Sequence, residues 1–286
     1  MIKYQVIDVF TQSSFEGNPV AVVLEADNLT SEEMQNIARW TNLSETTFVL
    51  PPKNPKADYQ LRIFTPEKEL PFAGHPTIGS AYAIRKTRRE FGEKAKIFQE
   101  CIAGLISIRC DLKDPEKLFL KLPATHFEKL NNEEIDKLQT CLGTNIKNKE
   151  ASAVNVGPVW IVGEIQTPEA LLEIQYDTQT CLELCKTFNA IGISLFAKYP
   201  DHRTIEMRSF AIPVGVREDP ICGSGNGAVA AFRLEKGQLH PDESYTAKQG
   251  KAIQRNGEVF IRLNSKKEIF VGGYSKICVT GQLNLD

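Results

Sequence analysis

Ala73-Gly74-His75-Pro76-Thr77 and Cys222-Gly223-Ser224-Gly225-Asn226-Gly227 are two glycine-bearing runs, each leading into small residues. The first continues as Ile78-Gly79-Ser80-Ala81-Tyr82-Ala83 and the second as Ala228-Val229-Ala230-Ala231-Phe232. Both patterns predict a helix start, where unpaired backbone N–H groups and partial positive charge can hold a carboxylate or a developing oxyanion. Glycine lets the backbone approach such a ligand closely. We therefore expect two helix starts that face one cleft and bind a small acidic molecule.

The composition is typical of a globular protein, and 286 residues fit one large domain or two of ordinary size. The formal net charge of -2 gives no attraction to nucleic acid or to an anionic membrane. No apolar stretch approaches the length of about 20 residues that a membrane helix needs. The first ten residues alternate like a strand and lack the apolar region of a signal peptide. We expect no nucleic-acid partner, no membrane partner and a cytoplasmic location.

The seven cysteines are spread along the chain and form no dense disulfide framework. Cys181 and Cys185 lie four residues apart, but no histidine is near them and no second pair exists. This spacing predicts two half-buried helix thiols rather than a zinc site. We therefore expect a reduced protein that binds no metal.

Apolar patterns and turn residues predict a mixed order of helices and strands. Thr30-Ser31-Glu32-Glu33 matches a capping box and begins the best-marked helix. Further helices are predicted after Pro76, over 133–140, 168–174 and 178–187, and after the second glycine run. Strands are predicted at 5–10, 20–24, 46–50, 59–64, 106–110, 118–122, 159–162, 192–198, 204–210, 259–263, 268–271 and 275–280.

Each half of the chain repeats the same order of predicted elements: strands, a polar glycine turn, a helix of small residues and more strands. This repetition predicts an α+β fold of two similar domains, 1–125 and 126–286, with the active cleft between them. The last strand is a candidate for return to the first domain. Pockets are common at such domain boundaries.

Glu45 and His75 are the candidates for proton transfer in the first half. Glu45 lies between the capped helix and a predicted strand, where it is either an exposed loop charge or a general base or acid in the cleft. His75 lies in the first glycine turn, between Gly74 and Pro76. Such a loop histidine is commonly a surface or packing residue, but here it can bind a substrate carboxylate or share a proton with an acid.

Asp219, Cys222 and Ser224 are the candidates in the second half. Asp219 precedes Pro220, so it is either a turn initiator or a group that holds a substrate amine or orients His75. Cys222 is either a thiolate favoured by the helix start or a small space-filling residue. Ser224 is by default a helix cap. The run lacks the Gly-x-Ser-x-Gly frame of a hydrolase and the Gly-Lys-Ser/Thr of a phosphate loop.

At these residues the chain resembles the phenazine-biosynthesis isomerase (PhzF-like) family, whose fold is related to diaminopimelate epimerase and proline racemase. The matching stretches are Asp8-Val9-Phe10, Glu16-Gly17-Asn18-Pro19-Val20-Ala21-Val22, Asn42-Leu43-Ser44-Glu45-Thr46, Phe64-Thr65-Pro66, Glu69-Leu70-Pro71-Phe72-Ala73-Gly74-His75-Pro76-Thr77, Glu218-Asp219-Pro220, Gly223-Ser224, Gln249-Gly250 and Arg255. Their order and spacing run nearly from one end of the chain to the other.

The resemblance implies two domains, each with a curved, mostly antiparallel, barrel-like sheet around a central helix, in a homodimer. It implies isomerisation of a small amino or hydroxy acid without cofactor or metal. Carried over residue by residue, Glu45 would move the proton, and His75 and Asp219 would hold or relay protons. The carboxylate would be bound by Gly74, Gly223 and Ser224, and Cys222 is counted with them as a substrate-binding residue.

One departure concerns Cys222, which occupies the place of one of the two catalytic thiols of the epimerases. The matching residue in the first turn is Ala73, which cannot accept a proton, so a two-thiol racemase is excluded. The first hypothesis is a cofactor-independent isomerase of the phenazine-biosynthesis type. The alternatives are a racemase or epimerase that uses Glu45 and Cys222, and a non-catalytic protein that binds or senses a small acid.

Overall fold

The strand Ile2–Val9 lies between two antiparallel neighbours, Asn18–Val23 and Ser275–Leu283. The last strand of the chain therefore completes the sheet that the first strand begins. The chain divides into a first unit, Met1–Leu120 with the segment that begins at Gly272, and a second unit, Lys121–Val271. The computed structural model describes residues 1–284.

The elements are numbered in chain order. Up to residue 121 they are β1 (Ile2–Val9), β2 (Asn18–Val23), α1 (Ser31–Thr41), β3 (Thr46–Leu50), β4 (Tyr59–Phe64), β5 (Glu69–Leu70), α2 (Gly74–Thr87), α3 (Arg89–Gly92), β6 (Lys96–Cys101), β7 (Gly104–Cys110) and β8 (Leu118–Lys121). They continue as β9 (His126–Lys129), α4 (Asn132–Leu142), β10 (Ala151–Asn155), β11 (Val159–Glu164), α5 (Pro168–Leu172), α6 (Thr178–Thr187), β12 (Gly192–Lys198), β13 (Thr204–Ala211), β14 (Val216–Asp219), α7 (Gly223–Glu235), β15 (Ser244–Gln249), β16 (Gly257–Leu263), β17 (Ile269–Gly273) and β18 (Ser275–Leu283).

The predicted capping box at the start of α1 is present. Glu33 N donates to Thr30 Oγ1 at 3.2 Å, and Thr30 N donates to Glu33 Oε2 at 2.7 Å. These two bonds satisfy N–H groups that precede the helix's internal ladder. The amphipathic helix then buries Met34 and Ala38 against Phe48 and Phe64 of the neighbouring strands. The helix ends at Thr41, and the loop that follows places Glu45 directly before β3.

A buried helix lies at the centre of each unit. Every residue of α2 from His75 to Ile84 is buried, and so is every residue of α7 from Gly225 to Arg233. A helix of small and apolar residues on all sides has no solvent face and must be surrounded by other elements. A Cβ at Gly79 would lie 2.5 Å from Val20 Cγ1, so β2 approaches α2 more closely than alanine allows.

The two units share one topology. In the first unit β1–β2 and β3–β4 are antiparallel pairs, β2–β3 is parallel, and β4 pairs parallel with β6, which pairs antiparallel with β7. In the second unit β10–β11, β11–β12, β12–β13, β13–β15 and β15–β16 repeat these pairings in the same order. The predicted α+β class with two similar halves around central helices is confirmed.

The repeat extends to the short strand that leads into each central helix. β5 pairs with β4 and β14 pairs with β13, both antiparallel. In both units a glutamate stands five residues before the first helical glycine: Glu69 before Gly74, and Glu218 before Gly223. The segment 69–75 therefore matches the segment 218–224 position by position. Leu70 then corresponds to Asp219, and Ala73 corresponds to Cys222.

The prediction that Cys181 is a free, half-buried helix thiol was wrong. Cys181 on α6 forms a disulfide with Cys141 on α4, and both residues are buried. Cys185, one turn further along α6, is a buried free thiol whose pKa burial raises to about 12. Sequence spacing identified the i, i+4 pair, but the true partner lies 40 residues away on another helix.

Candidate functional site

Glu45 and His75 lie together in the first unit. Glu45 directly precedes β3, and His75 is the second residue of α2. His75 Nε2 lies 3.4 Å from Glu45 Oε2, and the side chains are 9% and 16% exposed. Both atoms are buried and have no hydrogen-bond partner among the described residues. A carboxylate and an imidazole that face each other in this way can share or exchange a proton.

The start of α2 carries no side-chain cap. Ala73 is extended at the N-cap position, and the first internal bond runs from Thr77 N to Ala73 O at 3.3 Å. The N–H groups of Gly74 and His75 precede that bond, and Pro76 has no N–H. A Cβ at Gly74 would meet Leu120 Cδ1 at 4.0 Å, an ordinary contact distance. The helix start can therefore present its N–H groups to an anion.

Buried polar side chains fix the orientation of α2 just below its start. Gln99 Nε2 donates to Thr77 Oγ1 at 3.1 Å, and Tyr59 OH donates to Gln99 Oε1 at 3.0 Å. One turn further, Thr47 Oγ1 and Ser80 Oγ lie 2.8 Å apart. Buried hydrogen bonds of this kind specify one arrangement of helix and sheet. We refer to Glu45, Gly74 and His75 as the first-unit cluster.

The second-unit cluster consists of Asp219, Cys222, Gly223 and Ser224. Cys222 caps α7, because its Sγ accepts a hydrogen bond from Gly225 N at 3.3 Å. The first internal bond of the helix runs from Asn226 N to Cys222 O at 3.0 Å. The N–H groups of Gly223 and Ser224 precede it, and both residues are partly exposed. The helix start is again suited to an anion.

Ser224 is held by an aromatic neighbour rather than acting as the predicted helix cap. Trp160 Nε1 donates to Ser224 Oγ at 3.1 Å. The bond occupies one lone pair of the serine oxygen and leaves its O–H able to donate. Ser224 Oγ also lies 3.6 Å from Cys222 Sγ, so the group that Ser224 offers to a ligand is its backbone N–H.

Asp219 ends β14 and begins the turn into α7. Its Oδ1 accepts a hydrogen bond from Ile221 N at 3.1 Å, which is the local turn bond expected of an Asp-Pro sequence. Gln249 Nε2 donates to the backbone oxygen of Asp219 at 2.9 Å. The predicted role of Asp219 in orienting His75 stays a prediction.

The environment of Cys222 opposes a thiolate. Burial raises the pKa of the Cys222 thiol well above its usual value, and the charge of Asp219 raises it further. These effects outweigh the hydrogen bonds from Ser224 and Gly225 that lower it. Of the two alternatives for Cys222, burial favours the small space-filling residue over the thiolate, because desolvation is the larger effect.

Two interactions hold β14 in place. Arg208 on β13 makes a bidentate pair with Glu218, at 3.0 Å from Nε and 2.7 Å from Nη2, and both side chains are less than 10% exposed. Tyr176 OH donates to Arg217 O at 2.8 Å. In the first unit the corresponding pair, Arg62 and Glu69, is also bidentate, with both distances 2.7 Å. Each central helix is thus preceded by a strand that an arginine fixes.

Metal ions and membranes are two other kinds of partner, and residues 1–284 bear on both. These residues contain no group of three or more His, Cys, Asp or Glu side chains placed to hold a metal ion. No helix among them combines the length and the apolar character that a membrane crossing requires.

The arrangement can be compared with known proteins. The profile of the family described as phenazine biosynthesis-like protein matches residues 7–282. The chain belongs to this family. The first-unit cluster and the second-unit cluster both lie within the matched range.

Relatives in the phenazine biosynthesis-like family match almost the whole chain. Antisense-enhancing sequence 1 of Schizosaccharomyces pombe is 39% identical over 289 residues, covering 98% of this chain and 97% of the relative. Trans-2,3-dihydro-3-hydroxyanthranilate isomerase of Pseudomonas chlororaphis is 31% identical over 270 residues, covering 94% and 92%. The chain is thus an isomerase of the phenazine biosynthesis-like family.

Solved structures show the same fold. The phenazine biosynthesis protein of the PhzF family from Bacillus anthracis superimposes with a TM-score of 0.86 at 24% identity, covering 99% of both chains. A hydroxyproline epimerase from Agrobacterium vitis gives a TM-score of 0.64 at 12% identity, covering 98% and 91%. The epimerase-like fold predicted for the phenazine biosynthesis-like chain is confirmed.

Sequence reasoning missed several supporting residues. Gln249 was quoted as part of a matching stretch, but no role was assigned to it. Asn226, Trp160 and Arg208 were not singled out, although each bonds to a cluster residue or to its neighbour. The available signal in the sequence was Gly250, a glycine directly after Gln249. Its φ of 98° in the structure confirms that a turn there requires glycine.

Proposed function

We propose that the protein is a cofactor-independent isomerase that moves a proton between two carbon atoms of a small amino or hydroxy acid. Glu45 is the proposed general base and acid, and His75 is its proton partner. The observation that carries the proposal is the buried approach of Glu45 Oε2 to His75 Nε2, beside a helix start without a side-chain cap.

The proposed reaction has two proton transfers. The Glu45 carboxylate takes a proton from a substrate carbon, and the electron pair of the broken C–H bond spreads into the adjacent unsaturated system. The protonated Glu45 then returns a proton to a different carbon, which forms the new C–H bond and regenerates the carboxylate. His75 holds the carboxyl group by hydrogen bonding between the transfers. Such a positioned acid–base group contributes about 10²–10⁴-fold to a rate.

The helix starts supply the proposed anion binding. The N–H groups of Gly74, Gly223 and Ser224 are proposed to bind the substrate carboxylate or the charge that develops during transfer. Preorganised donors of this kind contribute about 3 kcal/mol each when they face developing charge. Asp219 is proposed to hold a substrate amine, and Cys222 to contribute as the residue that caps α7.

Substitution of Glu45 by glutamine tests the proposal. Glu45→Gln keeps the shape of the side chain but cannot accept a proton, so we expect turnover to be lost and the fold to be kept. The first compound to test is trans-2,3-dihydro-3-hydroxyanthranilate, because a relative named for it is 31% identical. Product formation is followed by NMR in deuterated water. Wild-type turnover by Glu45→Gln would refute the assignment.

Glu100→Gln is the matched control. Glu100 Oε2 accepts hydrogen bonds from Lys53 N at 2.7 Å and Asn54 N at 2.9 Å, away from the first-unit cluster. This variant also removes a partly buried carboxylate, so it reports the cost of that change alone. Its turnover should equal that of the wild type.

The alternative racemase or epimerase would use Cys222 with Glu45. The raised pKa of Cys222 disfavours it. That reaction would place solvent deuterium at a stereocentre whose configuration changes while the connectivity of the molecule stays the same. Cys222→Ser would abolish it. A non-catalytic acid-binding protein would instead bind the compound and show no proton exchange. The product's connectivity and its deuterium content separate the three functions.

A further inference from the structure

Gln249 joins both ends of the turn that carries the second-unit cluster. Its Oε1 accepts hydrogen bonds from Cys222 N at 3.1 Å and from Asn226 Nδ2 at 2.9 Å. Its Nε2 donates to Asp219 O at 2.9 Å. Asn226 Nδ2 also donates to Cys222 O at 2.9 Å. One amide group therefore connects the end of β14, the N-cap and the first turn of α7.

The burial of this arrangement makes it rigid. Gln249 is 1% exposed and Asn226 is fully buried. A buried donor or acceptor that loses its partner incurs the desolvation cost of that group, so breaking any one of these bonds is unfavourable. The backbone at Asp219 and Cys222 is thereby held in one conformation.

The chain after Gln249 is shaped to make this contact. Gly250 has a φ of 98°, and a Cβ there would lie 2.8 Å from Pro220 O and 2.6 Å from Arg255 Cβ. Only glycine fits both the conformation and the space. The turn at Gly250 therefore passes directly under the 219–222 turn, which brings the Gln249 side chain within reach.

We propose that Gln249 is a positioning residue that fixes Asp219 and the exposed N–H groups of Gly223 and Ser224 in the geometry the substrate needs. This rests on the proposed function, because those groups are the proposed substrate-binding set. Gln249 does not touch the substrate. Misplacement of binding groups by about 1 Å can cost about 10²-fold in rate.

Gln249→Glu is the decisive variant. A protonated glutamate has one C=O that accepts from Cys222 N and Asn226 Nδ2, and one O–H that donates to Asp219 O. An ionised glutamate has only acceptors and faces the Asp219 oxygen without a proton. The ratio of variant to wild-type kcat/KM should therefore be low at pH 8, by 10-fold or more, and should rise as the pH falls. A purely structural role predicts a ratio that does not change with pH.

Gln139→Glu is the matched control. Gln139 Oε1 also accepts from a backbone N–H, that of Ile146 at 3.1 Å, and its Nε2 donates to Asp136 Oδ1 at 3.2 Å. It lies on α4 and bonds to none of the cluster residues. Its ratio should stay near one at every pH. Gln249→Leu, which loses all three bonds, should show a 10- to 100-fold lower kcat/KM at every pH.

Amide NMR decides the question independently of any substrate. In Gln249→Glu at pH 8 the ¹H–¹⁵N signals of Gly223 and Ser224 should be displaced from their wild-type positions, and they should return as the pH falls. Unchanged signals at pH 8 would overturn the proposal, and so would displacement that does not respond to pH. Turnover of trans-2,3-dihydro-3-hydroxyanthranilate by Glu45→Gln would refute the proposed function and leave the NMR result to decide on Gln249.

Discussion

Gly74 has space for a side chain but stands where a ligand is proposed to bind. An added Cβ would make an ordinary contact with Leu120, so Gly74→Ala should fold normally. The methyl group would occupy the space in front of the α2 start, and we expect kcat/KM to fall by about 10²-fold, as for other small misplacements at reacting groups. Thermal unfolding and turnover of trans-2,3-dihydro-3-hydroxyanthranilate measure the two effects.

Gly79→Ala, on the same helix, provides the contrast. Its Cβ would lie 2.5 Å from Val20 Cγ1 and 2.9 Å from Val9 Cγ2. Overpacking of this kind costs about 1–3 kcal/mol of stability. Full activity of Gly74→Ala would contradict the proposed binding of a ligand at the start of α2.

Glu206 is a buried carboxyl group whose stability effect depends on pH. It is 1% exposed, its Oε2 accepts from Tyr199 OH at 2.8 Å, and its Oε1 has no partner among the described residues. Burial raises the pKa of Glu206 above its usual value. A raised carboxyl pKa means that the folded state favours the neutral form, so the stability from this group is full at acid pH and is lost as the pH rises through that pKa.

Glu206→Gln should therefore raise the melting temperature at pH 7 and leave it unchanged at about pH 3, where the wild-type group is protonated in both the folded and the unfolded state. Differential scanning calorimetry at the two pH values checks this. An equal shift at both values, or destabilisation at pH 7, would contradict the role assigned to the charge.

At the scale of elements, the two arginine–glutamate pairs differ in burial. Arg208 and Glu218 are 7% and 8% exposed, whereas Arg62 and Glu69 are 22% and 23% exposed. Removing one partner of a buried pair leaves an uncompensated charge and costs about 3–5 kcal/mol. The cost approaches about 1 kcal/mol as the pair becomes exposed.

We therefore expect Arg208→Met to reduce the free energy of unfolding more than Arg62→Met does. Urea titration measures both variants. Arg208→Met should also lower activity, because β14 ends at Asp219. Equal losses of unfolding free energy in Arg208→Met and Arg62→Met would contradict the role assigned to burial.

The disulfide between Cys141 and Cys181 joins α4 to α6 across 40 residues of sequence. In the loop-entropy account, a cross-link of this span stabilises by about 4 kcal/mol. Reduction, or Cys181→Ser, should lower the free energy of unfolding by that order and the urea midpoint with it, measured by urea titration with and without reductant. Cys278→Ser, which alters a free thiol on β18, should change nothing. An unchanged midpoint after complete reduction would show that the bond does not stabilise the fold.

The sequence predicted best those elements whose limits are set by residues close to them in the chain. The bounds of 46–50, 59–64, 178–187 and 192–198 agree with β3, β4, α6 and β12. The strands β6 and β15 were missed, because their buried positions include Gln99 and Gln249, whose partners lie on distant elements. A polar residue in a strand reads as exposed until its hydrogen-bond partner is known.

At the scale of the molecule, the candidate site was predictable only in part. Glycine turns, Asp-Pro and the position of Glu45 indicated the chemistry, because turn preferences are local. The approach of Glu45 to His75 is a contact between segments 30 residues apart, and the disulfide is another distant contact. Neither follows from spacing. The repeat of the two halves was predicted from the order of elements and is confirmed by strand pairing, although Leu70 matches Asp219 and Ala73 matches Cys222 without sharing their chemistry.

The return of β18 to β1 gives a prediction for the whole chain. Removing the residues after Tyr274 should expose the edge of β1, so hydrogen exchange should become faster at Val6 and Ile7. The amides of β12 in the second unit should keep their protection. Truncation after Leu283, which leaves β18 whole, is the control. Unchanged exchange in β1 would contradict the pairing.

The pairing of β1 with β18 also bears on synthesis. The ribosome makes β1 before the elements of the second unit and β18 after them, so the first unit lacks a strand while the second unit is synthesised. The strands of the second unit emerge before that and can pair first. A nascent chain therefore carries an open sheet edge for as long as the second unit is being made, which is the stage at which chaperone binding or aggregation would compete with folding.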